Sequence, residues 1–249
     1  MKTNSKFLLA LTATLSLAGE IQSNAQTAVV TPTPHYFTGT ADIGLTFTRG
    51  NSRTETVTAD INAEHKTNTY EVLLGAAGTY GRNTGIISSE SIDGHGQYNR
   101  LVTDRFFYGV KVDAMADQVA SIDYRLTVSP LVGYYFIKQT NMTLAGEVGP
   151  GAVIQKFGAN SPHGYGTLRA AERFEYKFSA TAKLWESFEI LPQVDKFNNY
   201  YVNFEIGLEA ALSKRWALRT YLDDTYYNIP AKNRLKNDVK LVSALAYKF

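Results

Sequence analysis

From residue 36 onward, apolar and polar residues alternate with a period of two, in segments of about 10 to 16 residues separated by short polar breaks. The first segment, residues 36–48, reads YFTGTADIGLTFT. Phe37, Gly39, Ala41, Ile43, Leu45 and Phe47 lie on one face, and Tyr36, Thr38, Thr40, Asp42, Gly44, Thr46 and Thr48 on the other. Successive side chains of a β-strand point to opposite faces, so one side of this strand is apolar and the other polar. An aromatic ring stands near each end of the apolar face. At ~3.3 Å per residue and a tilt of ~40°, Phe37 and Phe47 are roughly 25 Å apart, the height of the lipid-facing band of an outer-membrane barrel.

Eleven further segments repeat the pattern and predict strands over 53–66, 69–81, 91–102, 105–116, 122–137, 141–154, 164–178, 181–193, 199–212, 215–227 and 236–249. Tyr70 and Tyr80 repeat the ten-residue aromatic interval, and Trp216, Tyr226, Tyr247 and Phe249 extend the same girdle, on the apolar faces of the last two strands. The fold expected is all-β: a transmembrane, antiparallel, up-and-down barrel of twelve strands over residues 36–249. Closure is required because unpaired backbone N–H and C=O groups are not tolerated in lipid. An even strand number places both ends of the barrel on one side. The connections on that side are short, and those on the other side are mostly longer, up to about nine residues between Arg82 and Glu90. Three charges fall on the apolar face. Arg100 and Asp224 fit near a rim; Glu172 is harder to place, and a local β-bulge that shifts the phase of its strand is one way to accommodate it.

The rival fold is a soluble barrel or sandwich with its apolar faces inward. Twelve strands enclose too wide a lumen for one apolar core to fill. Composition agrees with the membrane reading: 249 residues, 12% aromatic with 16 Tyr and 13 Phe, 44% hydrophobic, and a mean hydropathy of −0.20 because half of each strand faces a polar interior. No apolar run after residue 20 approaches the ~18 residues of a membrane helix. The absence of Cys excludes disulfides, Cys catalysis and Cys metal sites. A net charge of +2 without a basic run gives no reason to expect nucleic acid as a partner.

The N-terminus reads as a secretory signal. Lys2 and Lys6 precede the apolar FLLALTATLSLA of residues 7–18, and Ser23-Asn24-Ala25 has the small-x-small form of a cleavage site. Residues 1–25 are therefore assigned as signal peptide and 26–35, with two prolines, as a periplasmic lead-in. The expected location is the outer membrane of a Gram-negative cell, with the lipid bilayer as the main partner.

Two resemblances add to this. The final LVSALAYKF, ending in Phe249 with Tyr247 two before it, resembles the C-terminal signature of outer-membrane barrels, which implies recognition by the barrel assembly machinery. The first strand running into Thr48-Arg49-Gly50-Asn51-Ser52 resembles the T-x-G-N-[ST] opening of the salt-induced outer-membrane protein family, a domain of unknown function. The stretch from Asp223 through Pro230, and Lys236-Asn237-Asp238 leading into Ala246-Tyr247-Lys248-Phe249, are similar to that family's closing region. Arg49 and Asn237 depart from its usual small residue and Thr. The resemblance implies an outer-membrane barrel with no assigned reaction, cofactor or catalytic residue.

Chemistry is sparse. No P-loop, dinucleotide fingerprint, HExxH or serine elbow is present. Glu90, Asp93 and His95 have a spacing that a divalent metal can use, but a polar interior histidine explains the same residues, and no metal or cofactor is assigned. A lipase-like site needs a Ser in line with the out-facing His65, and none lies there. A protease-like site needs a His beside Asp223 and Asp224, and His163 is three strands away. The interior charges are the main candidates: Asp60, Glu147, Glu175, Glu205, Glu209 and Asp223 against Lys111, Arg125, Arg169, Arg173, Arg219 and Lys240. They read as a ladder of ion pairs on the lumen wall, with Glu205 and Glu209 near Arg219 and Arg219 near Lys240, or as the selectivity groups of a narrow pore for small solutes. The functions compatible with this are such a pore or a structural, stress-related envelope role. A membrane-embedded hydrolase and a soluble ligand-binding barrel are the alternatives.

Overall fold

The computed structural model describes residues 37–49, 53–83, 86–119, 121–230 and 236–249. Twelve strands follow one another: β1 (Thr38–Arg49), β2 (Arg53–Lys66), β3 (Tyr70–Asn83), β4 (Ile86–Leu101), β5 (Phe106–Asp117), β6 (Ile122–Lys138), β7 (Met142–Phe157), β8 (His163–Lys177), β9 (Ala182–Gln193), β10 (Lys196–Ala211), β11 (Trp216–Tyr227) and β12 (Asn237–Lys248). Each pairs antiparallel with its neighbours in sequence, and β1 pairs with β12, so the sheet is a closed barrel. The predicted signal peptide and the whole of the lead-in lie outside the described residues, as does the side chain of Phe47.

The strands carry their apolar side chains outward. Ile43, Ile61, Leu74, Val148, Leu208, Leu218 and Leu245 are all exposed, while Asp42, Gln97, Asn99, Ser129 and Glu147 are buried inside. A soluble barrel has the reverse arrangement. Leaving so many large apolar side chains in water would forgo ~1.5–3 kcal/mol for each, so this surface is built for an apolar solvent.

At the end where the chain enters and leaves the barrel (the terminal end), the turns are short because hydroxyls cap them. Thr67 Oγ1 accepts the Thr69 and Tyr70 N–H groups, and Thr103 Oγ1 those of Arg105 and Phe106. Ser213 Oγ does the same for Arg215 and Trp216, and Ser179 Oγ for Thr181. A Ser or Thr two or three residues before the next strand satisfies donors that the ladder has not yet reached. The far end departs from expectation. The nine-residue connection expected after Arg82 is taken up by β3 and β4, which extend to Asn83 and Ile86 through a register shift at Gly81/Arg82. Much of the far-end length is therefore strand.

The bulge expected at Glu172 is absent: register runs unshifted along β8 against both β7 and β9, and Glu172 stays out-facing opposite Gly146 and Phe188. Irregularities sit elsewhere, at Ile122/Tyr124, Tyr135/Ile137, Met115/Asp117 and Lys196/Tyr200. The first of them turns Ile122 inward, where it is buried, although plain alternation with the exposed Tyr124 and Leu126 would set it on the outer face.

Closure is completed at the C-terminus. Phe249 N–H donates to Gly39 C=O and Gly39 N–H donates to Phe249 C=O, each at 3.0 Å. The Phe249 ring lies over Gly39, with ring carbons 2.6 and 2.8 Å from where a Cβ would stand. A Cβ there would also meet the Asn62 carbonyl oxygen of β2, so Gly39→Val has to displace the ring that seals the β1–β12 seam and to shift backbone on the β2 side. The expected outcome is a loss of about 1–3 kcal/mol, read as a lower temperature for the shift from folded to unfolded migration on gels. An unchanged transition would show that the seam does not depend on this contact.

Candidate functional site

The candidate site is the lumen, and its centre is Glu147. This carboxylate projects inward from β7 with its side chain fully buried. Arg169 of β8 donates through Nη1 to Oε2 at 2.8 Å, and Arg173 through Nη2 to Oε1 at 2.7 Å. Gln97 of β4 donates to the same Oε1 at 2.9 Å, reaching across β5 and β6. Arg169 and Arg173 are four residues apart on one strand, so both face the lumen with one inward position between them. Two guanidinium groups on one carboxylate, with a neutral amide completing it, is an arrangement in which burial of charge is matched by hydrogen bonding.

The network continues across the barrel. Arg169 Nε also donates to Glu189 Oε2 on β9 at 2.6 Å, and Lys111 of β5 reaches the same oxygen at 2.9 Å while lying 3.0 Å from Asp113. The Lys111–Glu189 bond joins β5 to β9 through the interior, four strands apart around the wall. Toward the terminal end Gln97 donates to Asn99, Asn99 to Glu71 at 3.1 Å, and the Tyr135 hydroxyl to Glu71 at 2.6 Å. Beside these, the lumen is apolar: Leu101, Phe107, Leu131, Tyr135 and Ala145 form a cluster in which the Phe107 ring fills the space left by Gly133. The interior is therefore apolar at this end of β5 to β7. Inward Phe107 was the signal for it, and its partners come from long-range pairing.

A second network lines the opposite wall. Arg219 of β11 binds the buried Asp42 of β1, lies 3.9 Å from Asp60 and places Nε 3.8 Å from Glu209. Small Ala244 and Gly44 are its register neighbours on β12 and β1, which clears the way for the long side chain. Glu209 also meets Lys248 at 2.5 Å and Lys183 at 3.9 Å, and Lys183 meets Glu175 at 3.3 Å. Two expected partners differ. Glu205 accepts a hydrogen bond from the Trp185 indole and forms no ion pair with Arg219; instead the Arg219 guanidinium stacks 4.4 Å above the Trp185 ring. Lys240 pairs with Asp223 at 3.7 Å and Asp238 at 3.8 Å, because β11–β12 register sets Lys240 opposite Asp223 and Arg219 opposite Ala244.

Arg125 stands apart from both networks, three residues into β6 from the far end. It donates to Gln155 Oε1 at 2.8 Å, and the neighbouring rings of Tyr201 and Tyr227 lie together beside it, their centroids 5.9 and 5.7 Å from its guanidinium carbon.

The other candidates are dispersed. Glu90 pairs with Tyr80 and shares the outer face with it, whereas Asp93 and His95 point inward, so the metal spacing does not converge. Among the described residues no group of three metal-ligating side chains converges. His65 is buried between Phe37 and Tyr70 and bonds the Tyr70 hydroxyl at 3.2 Å. His163 packs beside Tyr165. Of the aromatic residues singled out, Phe37, Tyr80, Trp216 and Phe249 are exposed near strand ends. Trp216 and Tyr247 meet edge-on at 5.1 Å, Tyr70 stacks on Tyr98, and Tyr226 lies beside Tyr200 at the far end. Arg100 is next to the last residue of β4, and Asp224 accepts from Asn237 near the far rim.

A closed antiparallel barrel with an apolar exterior and a charged interior defines the class: an outer-membrane-type β-barrel. The chain belongs to the family described as "Protein of unknown function, DUF481", which matches residues 41–249. No curated protein matches it. Among solved structures it is similar to the NanC porin, at 10% identity over 84% of this chain and 98% of that one, with a TM-score of 0.54. It is also similar to an outer membrane channel from Pseudomonas putida F1, at 10% identity over 92% of this chain and all (100%) of that one, with a TM-score of 0.51. At these identities the likeness is one of fold. The family description names no reaction and no inducing condition.

Proposed function

We propose that this barrel is a narrow pore in the outer membrane for small polar solutes, with the terminal end toward the periplasm and the exposed aromatic residues at the two membrane interfaces. The observation that carries this reading is the Lys111–Glu189–Arg169–Glu147 chain, which crosses the lumen and lines it with fixed charge of both signs. Such groups narrow the bore and set which solutes cross it. The likeness in fold to a porin and an outer membrane channel supports the reading. Export by the N-terminal signal and delivery to the barrel assembly machinery through the segment ending at Phe249 belong to the same proposal.

Planar-bilayer recording of the refolded protein tests it. Reproducible conductance steps are expected. Arg169→Ala removes the cation shared by Glu147 and Glu189, so it is expected to raise the unit conductance and shift selectivity toward cations. Silent bilayers would defeat the pore. They would favour a structural envelope role, in which the same cross-lumen bonds brace the wall, with the salt response implied by the family resemblance.

A further inference from the structure

We infer that the far mouth of the lumen holds an anion site built on Arg125, and that its ligand is a small organic carboxylate. The inference rests on the reading of the barrel as a pore. Arg125 is 92% buried, being 8% exposed, and among the described residues no carboxylate oxygen comes within 4.0 Å of its nitrogens. The other lumen arginines differ: Arg169 and Arg173 share Glu147, and Arg219 binds Asp42. A buried guanidinium is normally matched by a carboxylate, because desolvating the charge is costly without one.

The hydrogen-bond partners of Arg125 among the described residues are neutral. Nε donates to Gln155 Oε1 at 2.8 Å, and Nη1 lies 3.4 Å from the Tyr227 hydroxyl and 4.0 Å from Met115 Sδ. Among the described residues Nη2 meets no acceptor. The Tyr201 and Tyr227 rings, themselves 5.9 Å apart, lie together on one side of the guanidinium, 5.9 and 5.7 Å from its carbon. A planar guanidinium held in place with a free donor edge is preorganised for a carboxylate, which takes two parallel N–H bonds. The two rings give the body of an organic ligand an apolar surface to lie on. The position of Arg125, near the far end of β6, makes this the first fixed positive charge of the lumen wall that an incoming anion reaches from outside on that strand.

Calorimetric titration of the detergent-folded barrel with sodium benzoate, and separately with benzamide, tests this. Benzoate is expected to bind with a Kd in the low-millimolar range or tighter, and benzamide, the same shape without the charge, at least roughly tenfold more weakly. Arg125→Gln is expected to weaken benzoate by about tenfold or more, while Arg125→Lys, which keeps the charge and loses the fork, costs about two- to fivefold. Equal binding of benzoate and benzamide overturns the inference, as does benzoate binding unchanged in a folded Arg125→Gln barrel. If Arg125→Gln does not fold, the benzoate–benzamide contrast on the unmodified protein still decides. Binding is read without a membrane, so the two readings fail separately. Silent bilayers with benzoate bound defeat the pore alone, and conductance without benzoate preference defeats the anion site alone.

Discussion

Replacing Glu147 by Ala is expected to cost about 3–5 kcal/mol, because it strips the counter-charge from two guanidinium groups that remain inside the barrel. Arg169 keeps Glu189, but Arg173 has Glu147 as its ion-pair partner, and Gln97 loses an acceptor. The loss should appear in urea unfolding followed by the fluorescence of Trp185 and Trp216. A double variant, Glu147→Ala with Arg173→Ala, removes the orphaned cation together with the carboxylate. It is expected to recover part of the loss, since residues in one network do not act additively. A stability change below ~1 kcal/mol for the single variant would mean that water in the lumen, and not the protein, solvates these groups. Glu147 would then be a solvated wall charge and not the hub of a brace.

The adjacent residue supplies the second large effect through the opposite face. Val148 is 54% exposed, in the middle part of β7, flanked on the outer surface by Val132 and Ala170. Val148→Arg places a charge on the face assigned to lipid, at an expected cost of about 2–4 kcal/mol in lipid-folded protein. In a water-soluble barrel the same exposed substitution would be within about 0.5 kcal/mol of neutral. The comparison needs no assumption about solute or conductance. A neutral Val148→Arg in vesicles would remove the physical basis for the membrane assignment, whatever the lumen does. One step along a strand thus separates a change that strands charges in the interior from one that puts a charge into hydrocarbon.

Glu172 and Glu186 qualify the outer face. Both point outward as diagonal neighbours on β8 and β9, since Glu172 pairs with Phe188 and Phe174 with Glu186. A phase shift at Glu172 would have hidden one of them; the unbroken register leaves both outside. Alternation alone placed Glu172 correctly, and the bulge invoked to rescue it was unnecessary.

Much of the barrel is legible in the chain because its strongest signal is local. A period of two over a dozen residues defines a strand and its two faces without reference to any other segment, and each hairpin sets the register of its own pair. Asp42 lies opposite Asp60 for that reason: the two are equally far from the turn after β1. Inward charges such as Glu147, Arg169, Arg173 and Arg219 follow from parity alone. Glu71 and Glu189, which parity also turns inward, were passed over for lack of a cluster to draw attention to them. Each proves to be a junction of the lumen network.

Alternation along the chain is enough to specify twelve strands, their order, the apolar side along most of their length, and the presence of both charge signs inside. Only the tertiary structure decided who pairs with whom across the lumen: Lys111 with Glu189, Gln97 with Glu147, Tyr135 with Glu71, and Trp185 with Glu205. It also decided that, among the described residues, no carboxylate oxygen lies within 4.0 Å of the Arg125 nitrogens. These partners come from strands three or four places apart around the wall, except for neighbouring β9 and β10. Curvature, stagger and side-chain length bring them together, and none of these is written in the alternation of a single strand.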